Sequence, residues 1–138
     1  MLAGNSMGGY MTLAGGARDS RFKAVVAICP LIDPTTAPLP QDLAEEFAQM
    51  LQGTTAKELV KEWDNLTPLE KVSDGLRGRR VLLITADLDE LFPPSHYESF
   101  VKGLPSLKWK RMTDADHSFC SCRSELVERV VRWLRGIS

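Results

Sequence analysis

The sequence predicts an α/β fold in which a mostly parallel sheet of about three to four strands is flanked by helices. Apolar runs alternate with helix-like patterns along the chain, as in folds built on a parallel sheet. Two of the runs, residues 24–28 and 81–84, are continuously apolar, which is typical of strands covered on both faces. Neither a linker nor an internal repeat divides the 138 residues, so we expect a single domain spanning residues 1–138.

The first part of the chain is predicted to form two strands around one helix. Residues 1–3 are a short apolar strand that leads into a glycine-rich turn. A helix follows over about residues 7–14 and is expected to end at Gly15 and Gly16. The next strand covers residues 23–29 and ends before a proline.

A proline-rich loop and three short helices come next, and residues 33–78 are interpreted as a small helical cap inserted between two strands. In the first helix, apolar side chains recur at helical spacing: Leu43, Phe47, Met50 and Leu51. The second helix has Thr54 or Thr55 as its N-cap. Its apolar positions are Leu59, Val60 and Trp63. The third helix begins at Thr67, with a proline in its first turn.

The second half of the chain returns to alternating strands and helices. We expect a strand over residues 80–86, a helix over about 95–102 and a last strand over 107–112. The closing helix covers about residues 123–135. Its buried stripe is expected at Val127, Val130, Val131 and Leu134. Its charged positions, mostly facing water, are Arg123, Glu128, Arg129 and Arg132.

Composition and charge exclude several function classes. Lys and Arg total 17 against 18 Asp and Glu, so no basic excess is available to neutralise nucleic-acid phosphates. No stretch approaches the roughly 20 apolar residues of a membrane helix, and no charged leader precedes an apolar run at the N-terminus. Three cysteines are too few, and odd in number, for a disulfide framework. We therefore expect a cytoplasmic protein without nucleic-acid or membrane partners.

A Gly-x-Ser-x-Gly motif lies where the first strand meets the first helix, in the order Gly4-Asn5-Ser6-Met7-Gly8. In this context the serine occupies a strained turn that lifts its Oγ clear of the sheet, which makes Ser6 a candidate nucleophile. The residues two before and two after it must be small, because both neighbouring chain segments pass close to the turn. The Met7 N–H, at the helix start, is placed to stabilise a tetrahedral oxyanion. The other interpretation is a glycine-rich turn without a chemical role.

A serine nucleophile needs a base within hydrogen-bond reach and a carboxylate that orients the base. His117 follows the last strand, at the carboxyl end of the sheet, and is the better candidate base; His96 is interpreted as a helix-face residue. The acid is expected just after the preceding strand, where spacing alone leaves three choices open. These are Asp87, Asp89 and Glu90. Asp114 and Asp116 are interpreted as loop or capping carboxylates.

Together these motifs resemble the C-terminal half of an α/β-hydrolase. Residues 4–13 are similar to the nucleophile elbow of prolyl-oligopeptidase-like and acylaminoacyl-peptidase-like serine hydrolases. Residues 81–94 resemble the family's acid strand and loop, in which the aspartate precedes a proline by four positions, and this register selects Asp89. Residues 116–119 and the closing helix are similar to the family's histidine loop and last helix.

The resemblance implies a partial α/β-hydrolase fold and a serine hydrolase: a carboxylesterase, thioesterase or peptidase acting on a small-molecule ester or peptide through an acyl-enzyme. Ser6 would be acylated, His117 would carry the proton and Asp89 would orient His117. The Met7 N–H would hold the oxyanion. No metal or organic cofactor is implied. Acyltransferases share the elbow, so that activity stays open, and no substrate-binding residue is assigned.

Residues outside the three motifs are interpreted mainly as structural. Cys120 and Cys122 lack the spacing and the further ligands of a zinc site, and Cys29 is expected to be a small core residue. Tyr10 on the elbow helix is expected to pack. Four cap residues are candidates for an acyl or peptide pocket, although apolar side chains at helical spacing are more often core. They are Phe47, Met50, Leu51 and Trp63.

The family pattern has several strands before the elbow, and one of their loops supplies a second oxyanion N–H. Here the sequence begins inside the strand that would lie mid-sheet. The alternative expectation is a truncated or degenerate hydrolase fragment without turnover that folds through self-association. An apolar strand at a sheet edge invites association, so we expect a homo-oligomer, most simply a dimer, that buries residues 1–3 and the helix from Met7.

Overall fold

The computed structural model describes residues 1–136, and its centre is a four-stranded parallel sheet. The strands lie in sequence order: β1 (Leu2–Asn5), β2 (Ala24–Ile28), β3 (Arg80–Ala86) and β4 (Lys108–Met112). Each strand pairs in parallel with its neighbour. The predicted α/β fold is confirmed, with strand bounds shifted by at most two residues.

Helices connect and flank these strands. The α-helices are α1 (Met7–Arg18), α2 (Gln41–Met50), α3 (Ala56–Asp64), α4 (Glu98–Gly103) and α5 (Arg123–Leu134). Two 3₁₀ helices, Leu69–Leu76 and Pro94–Tyr97, precede β3 and α4. The helix predicted after β3 therefore divides into a 3₁₀ turn and a short α-helix. Among the described helices, none combines the length and apolar character needed to cross a bilayer.

The strand order places the helices in two layers. Consecutive strands are neighbours, and crossovers between parallel strands are right-handed, so the segments between strands cover the same face of the sheet. On that face Leu13 of α1 packs in one cluster with Val25. The opposite face carries Val26 and Leu82 and is covered by α5, which follows the last strand.

Helix α1 is longer than predicted. It continues through Gly15 and Gly16 to Arg18, so the expectation that these glycines end the helix is wrong. Gly16 is required by packing, since a Cβ at this position would lie 2.8 Å from Cγ2 of Val25 on β2. The glycine marks a close approach of helix and sheet, and not a helix end.

The buried face of α5 differs from the predicted stripe. Val127 is 60% exposed, so its assignment to the core is wrong. The residues of α5 that pack on the sheet are Leu126, Val130 and Trp133, which recur at helical spacing. The observed stripe is offset from the predicted one by one position. Packing of the large, partly buried Trp133 ring against this face accounts for the offset, because aromatic side chains contribute a large apolar area.

The segment between β2 and β3 forms helices as predicted, but it is less buried than expected. α2 packs on α3, and Thr55 caps α3 through a reciprocal capping box with Glu58. Met50 and Leu51 are 64% and 52% exposed, so the end of the predicted α2 stripe is not core. The interpretation of residues 33–78 as a separate cap stays a prediction.

Candidate active site

The carboxyl ends of the strands bring four chemically active side chains to one edge of the sheet. Ser6 directly follows β1, and Cys29 directly follows β2. Asp89 lies three residues after β3, and His117 lies five residues after β4. Ligands of open parallel sheets bind at this edge. A hydroxyl, a thiol, a carboxylate and an imidazole are therefore gathered where chemistry is expected.

Ser6 occupies the tight turn between β1 and α1. Its backbone has φ 53° and ψ −123°, a conformation that residues with a side chain rarely adopt. The turn is held on both sides: Ser6 N–H donates to the Ile28 carbonyl at 2.9 Å, and Tyr10 N–H donates to the Ser6 carbonyl at 3.1 Å. Strain maintained by surrounding bonds is typical of functional positions. Met7 begins α1, so its N–H has no acceptor within the helix.

Two glycines allow close packing around the turn at Ser6, and only one of them, Gly4, belongs to the Gly-x-Ser-x-Gly motif. A Cβ on Gly4 would overlap the Gly8 carbonyl and lie 2.6 Å from Thr12 Oγ1, so Gly4 is required. A Cβ on Gly8 would meet no atom within 4 Å, and the prediction that this position must be small is wrong. Gly9 has that role, because its Cβ would lie 2.9 Å from Pro30 Cβ.

Asp89 and His117 form a hydrogen-bonded pair. Asp89 Oδ2 lies 2.8 Å from His117 Nδ1, while Oδ1 accepts the N–H groups of Leu91 and Phe92, both at 2.9 Å. Burial opposes ionisation of Asp89, but the hydrogen bonds from His117 and the Phe92 N–H outweigh it, so the pKa of Asp89 lies below its usual value. The ionised carboxylate favours the His117 tautomer that carries its proton on Nδ1.

The structure distinguishes the three candidates for the acid that orients the histidine, which sequence spacing alone does not. Asp87 binds Arg111 of β4 through two hydrogen bonds of 2.8 and 2.9 Å. Glu90 is exposed to solvent. Asp89 is buried and reaches the imidazole of His117. The carboxylate that contacts His117 is therefore Asp89, which is also the aspartate that precedes a proline by four positions in the family's acid loop.

His117 keeps one ring nitrogen for a second partner. Its bond to Asp89 uses Nδ1, and its side chain is 19% exposed, so the ring is accessible from solvent. Within residues 1–136 no hydrogen bond joins His117 to Ser6. Such bonds are often long in the absence of substrate and shorten when it binds. The structure thus pairs the acid with the base and places the serine at the same sheet edge.

His96 has a structural role that its position in the sequence does not indicate. It lies in the second 3₁₀ helix, and its Nε2 accepts the Ile32 N–H at 2.8 Å. Its ring stacks on Phe92, with centroids 5.1 Å apart. Burial lowers the pKa of His96, although Asp33 and Asp89 act in the opposite direction. In its neutral form, His96 fastens the loop after β2 to the segment after β3.

We expect His96 to make the free energy of unfolding decrease as the pH falls below about 6.5. Because the pKa of His96 is lowered in the folded chain, the unfolded chain binds a proton at a pH where the folded chain does not. His96→Gln keeps an acceptor for Ile32 N–H and removes the titration. In urea unfolding at about pH 7.5 and 5.5, the wild type should lose up to about 1 kcal/mol more stability than the variant. Equal losses would contradict this role.

Phe92 connects His117 to the segment between β2 and β3. Its ring meets His117 edge-on at 5.5 Å and stacks on Trp63 at 6.5 Å, measured between centroids. Trp63 donates its Nε1–H to the Ala37 carbonyl at 2.9 Å and is held in place. Of the four cap residues considered for a pocket, Trp63 is the one linked to His117 in this way. The sequence does not distinguish Phe92 as a site residue, and its one signal is its position three residues after Asp89.

Two further candidates have the structural surroundings expected of them. Tyr10 is buried, and its hydroxyl donates to the Thr67 carbonyl at 2.9 Å. Asp116 Oδ1 accepts the Cys120 N–H at 3.1 Å, as a loop carboxylate does. Both residues therefore stabilise local structure beside the site.

Cys29 is buried, as predicted, but it lies outside the strand to which the sequence assigned it. β2 ends at Ile28, and Cys29 has φ 39°. Burial, reinforced by the charge of Asp89, raises the pKa of the Cys29 thiol. Its Sγ and the ligand atoms of Asp89 and His117 lie within 4.8 Å of one another. The thiol therefore adjoins the acid–base pair.

Comparison with solved structures shows that the chain has part of the α/β-hydrolase fold. The esterase domain of a Rhodothermus marinus protein matches with TM-score 0.71 and 19% identity, over 96% of this chain and 59% of that one. Est1E from Butyrivibrio proteoclasticus matches with TM-score 0.70 and 17% identity, over 98% and 59%. A candidate dipeptidyl aminopeptidase IV from Bacteroides ovatus matches with TM-score 0.68 and 25% identity, over 97% and 18%. The chain spans less than two thirds of each.

Sequence comparison identifies the family. The profile of the prolyl oligopeptidase family, Peptidase_S9, matches residues 1–137, almost the entire chain. No curated protein sequence matches the chain significantly. The architecture is that of a partial α/β-hydrolase fold, and the chain belongs to the prolyl oligopeptidase family.

Proposed function

We propose that the chain is a serine hydrolase of the α/β-hydrolase type that forms an acyl-enzyme on Ser6. One observation carries the proposal: the buried Asp89 carboxyl lies 2.8 Å from His117 Nδ1, at the sheet edge that also holds the strained serine. Membership of the prolyl oligopeptidase family supports hydrolysis as the reaction class. The activity would be that of a carboxylesterase, thioesterase or peptidase.

In the proposed mechanism, Nε2 of His117 takes the Ser6 proton while Oγ attacks the carbonyl carbon of the substrate. Asp89 keeps the proton on Nδ1 and stabilises the imidazolium that forms. The Met7 N–H, at the positive end of α1, donates to the oxyanion. His117 then gives its proton to the leaving group. Water hydrolyses the acyl-enzyme by the reverse proton transfers, and no step requires a metal or an organic cofactor.

We propose a small-molecule ester or peptide as the substrate. Two of the similar proteins are described as an esterase domain and as a candidate dipeptidyl aminopeptidase, so both bond types are represented. Phe92 packs edge-on against His117, and Trp63 stacks on Phe92, so the surroundings of the base on this side are apolar. A cytoplasmic location is part of the same proposal.

The proposal is tested by turnover of small chromogenic substrates. The purified chain should release nitrophenol from acyl esters or nitroaniline from aminoacyl anilides, and an acyl thioester completes the panel. The fastest class distinguishes esterase, peptidase and thioesterase. Ser6→Ala should reduce each rate by several orders of magnitude, to the residual level that binding and the oxyanion donor support. Equal rates for the wild type and for Ser6→Ala would contradict the proposed nucleophile.

The second candidate is a hydrolase fragment without turnover that persists as a folded module. The chain spans 59% of the Rhodothermus esterase domain, so part of that domain has no counterpart in residues 1–138. By resemblance to the family, preceding strands would supply the second oxyanion donor, and loss of one donor reduces the rate by about 10²–10³. The DNA upstream of the Met1 codon separates the two candidates. An in-frame extension that encodes such a loop supports a complete enzyme, and a nearby stop codon supports the fragment.

Self-association through β1 is proposed for a chain in which no further strand pairs with β1. β1 is an edge strand of the sheet, and Met1 and Met11 are 61% and 60% exposed. Exposed apolar groups next to an open strand edge favour a two-fold dimer. Sedimentation equilibrium should show a dimer whose fraction rises with concentration, and Met11→Glu should shift it towards monomer. A clean monomer at high concentration would contradict this interface.

A further inference from the structure

We propose that Cys29, Asp89 and His117 form a binding site for one thiophilic divalent cation, best matched by Zn²⁺, and that the bound cation switches the acid–base pair off. The cation would be an inhibitor and not a cofactor. Cation binding is independent of the proposed hydrolase function, and only the inhibition rests on that function.

The three ligands come from the loops after three neighbouring strands and meet at one point. Cys29 Sγ, a carboxylate oxygen of Asp89 and a ring nitrogen of His117 all lie within 4.8 Å of one another. Tetrahedral zinc, with bonds of about 2.0 Å to nitrogen or oxygen and about 2.3 Å to sulfur, holds its ligand atoms about 3.3–3.6 Å apart. Movements of about 1 Å suffice, and they include opening of the Asp89–His117 hydrogen bond.

The donor atoms favour zinc-like cations over hard ones. A thiolate, an imidazole and a carboxylate are all common zinc ligands. Mg²⁺ and Ca²⁺ are bound by oxygen atoms, and the sulfur of Cys29 makes this site unsuitable for them. Three protein ligands also leave a fourth position for water, which is the arrangement of an open zinc site.

Two of the ligands are held in place before a cation arrives. Cys29 keeps its strained backbone because its N–H donates to the Ile84 carbonyl of β3 at 2.8 Å. Asp89 Oδ1 accepts two backbone N–H groups, so Oδ2 is the oxygen left for the cation. The buried hydroxyl of Tyr97 lies beside the Cys29 thiol. It could bond to the water in the fourth position.

A cation would enter from the side of His117, whose side chain is partly exposed while Cys29 and Asp89 are buried. On binding, the Cys29 thiol releases its proton to solvent. His117 transfers its proton from Nδ1 to Nε2, and the Nδ1 lone pair binds the cation, so one proton leaves per cation bound. Nε2 then carries a hydrogen and cannot accept the proton of Ser6.

Cd²⁺ is a suitable probe, because it substitutes for Zn²⁺ and its bond to a thiolate absorbs in the ultraviolet. Cys120 and Cys122 are more accessible thiols, so both are changed to serine in the protein tested. We expect an absorption band that saturates at one Cd²⁺ per chain and that Zn²⁺ displaces. Absence of the band from this folded protein would overturn the proposal.

Variants test two of the three ligands, Cys29 and Asp89. Cys29→Ala and Cys29→Ser should each abolish it, with folding checked by circular dichroism, and Asp89→Asn should weaken Cd²⁺ binding at least about tenfold. His96→Gln is the matched control, because His96 lies outside the three ligands, and it should bind Cd²⁺ as the parent does. A band that persists in a folded Cys29 variant, or unchanged affinity in Asp89→Asn, would overturn the site.

Inhibition is measured separately from binding. Zn²⁺ should slow the reaction of Ser6 with a fluorophosphonate probe, and a chelator should restore it. The same Zn²⁺ should have no effect in Cys29→Ala. Labelling of the Zn²⁺-saturated protein at the metal-free rate would overturn the inhibition. Because the Cd²⁺ band is read without substrate, an unreactive Ser6 would refute the hydrolase function and leave the binding result intact.

Discussion

Replacement of Asp89 by asparagine is expected to slow the acylation of Ser6 by about 10⁴-fold. In the structure, Asp89 Oδ1 accepts two backbone N–H groups, so an asparagine would keep its carbonyl oxygen there and turn its NH₂ towards His117. Two donors would then face each other, and His117 would place its proton on Nε2. That nitrogen must be free to accept the proton of Ser6. The rate of reaction with a fluorophosphonate probe measures the loss.

Asp87→Asn is the matched control for this variant. Asp87 lies two residues earlier. It binds Arg111, and within residues 1–136 it makes no hydrogen bond to Asp89 or His117. Its replacement should leave the labelling rate close to that of the wild type. If Asp89→Asn folds and reacts as fast as Asp87→Asn, Asp89 is not the residue that orients His117.

Gly4→Ala is expected to destabilise the chain by about 1–3 kcal/mol or more and to abolish labelling of Ser6. The added Cβ would overlap the backbone carbonyl of Gly8 and lie 2.6 Å from Thr12 Oγ1. A backbone carbonyl inside a helix cannot turn away, so α1 would have to move off β1 and the elbow would lose its geometry. The urea midpoint measures the loss of stability.

Gly8→Ala is the control at the other end of the same motif. A Cβ there meets no atom within 4 Å, and alanine leaves the unfolded chain with less conformational freedom than glycine does. This variant should be as stable as the wild type or more stable, and it should still react. Similar stability for Gly4→Ala and Gly8→Ala would show that the overlap at Gly4 does not control the elbow.

The sheet could be predicted because a buried parallel strand is apolar at nearly every position, a pattern that needs no knowledge of its neighbours. The predictions that are wrong concern contacts between helices and the sheet. Glycine often ends helices, so the sequence suggests a helix end at Gly16. The structure shows why this helix interior needs a glycine: an added Cβ would lie 2.8 Å from Val25 Cγ2. On α5, Leu126 and Val127 are adjacent apolar residues, and the packing of Trp133 determines which of them contacts the sheet.

The candidate site could be predicted as far as local sequence determines it. The positions of Asp89 and His117 follow from where β3 and β4 end, although spacing alone does not separate Asp89 from Asp87. His96 could not be assigned, because its role depends on the Ile32 N–H, which lies 64 positions away in the sequence. Contacts of this kind leave no periodicity and no motif in the chain.

Activation of Ser6 as a nucleophile is tested most directly by incubating the intact chain with a fluorophosphonate probe and locating the adduct by mass spectrometry. We predict one adduct per chain, on the peptide that contains Ser6, and none in Ser6→Ala. A well-folded chain that stays unlabelled, or a label that persists in Ser6→Ala, would contradict the assignment of Ser6 as the nucleophile.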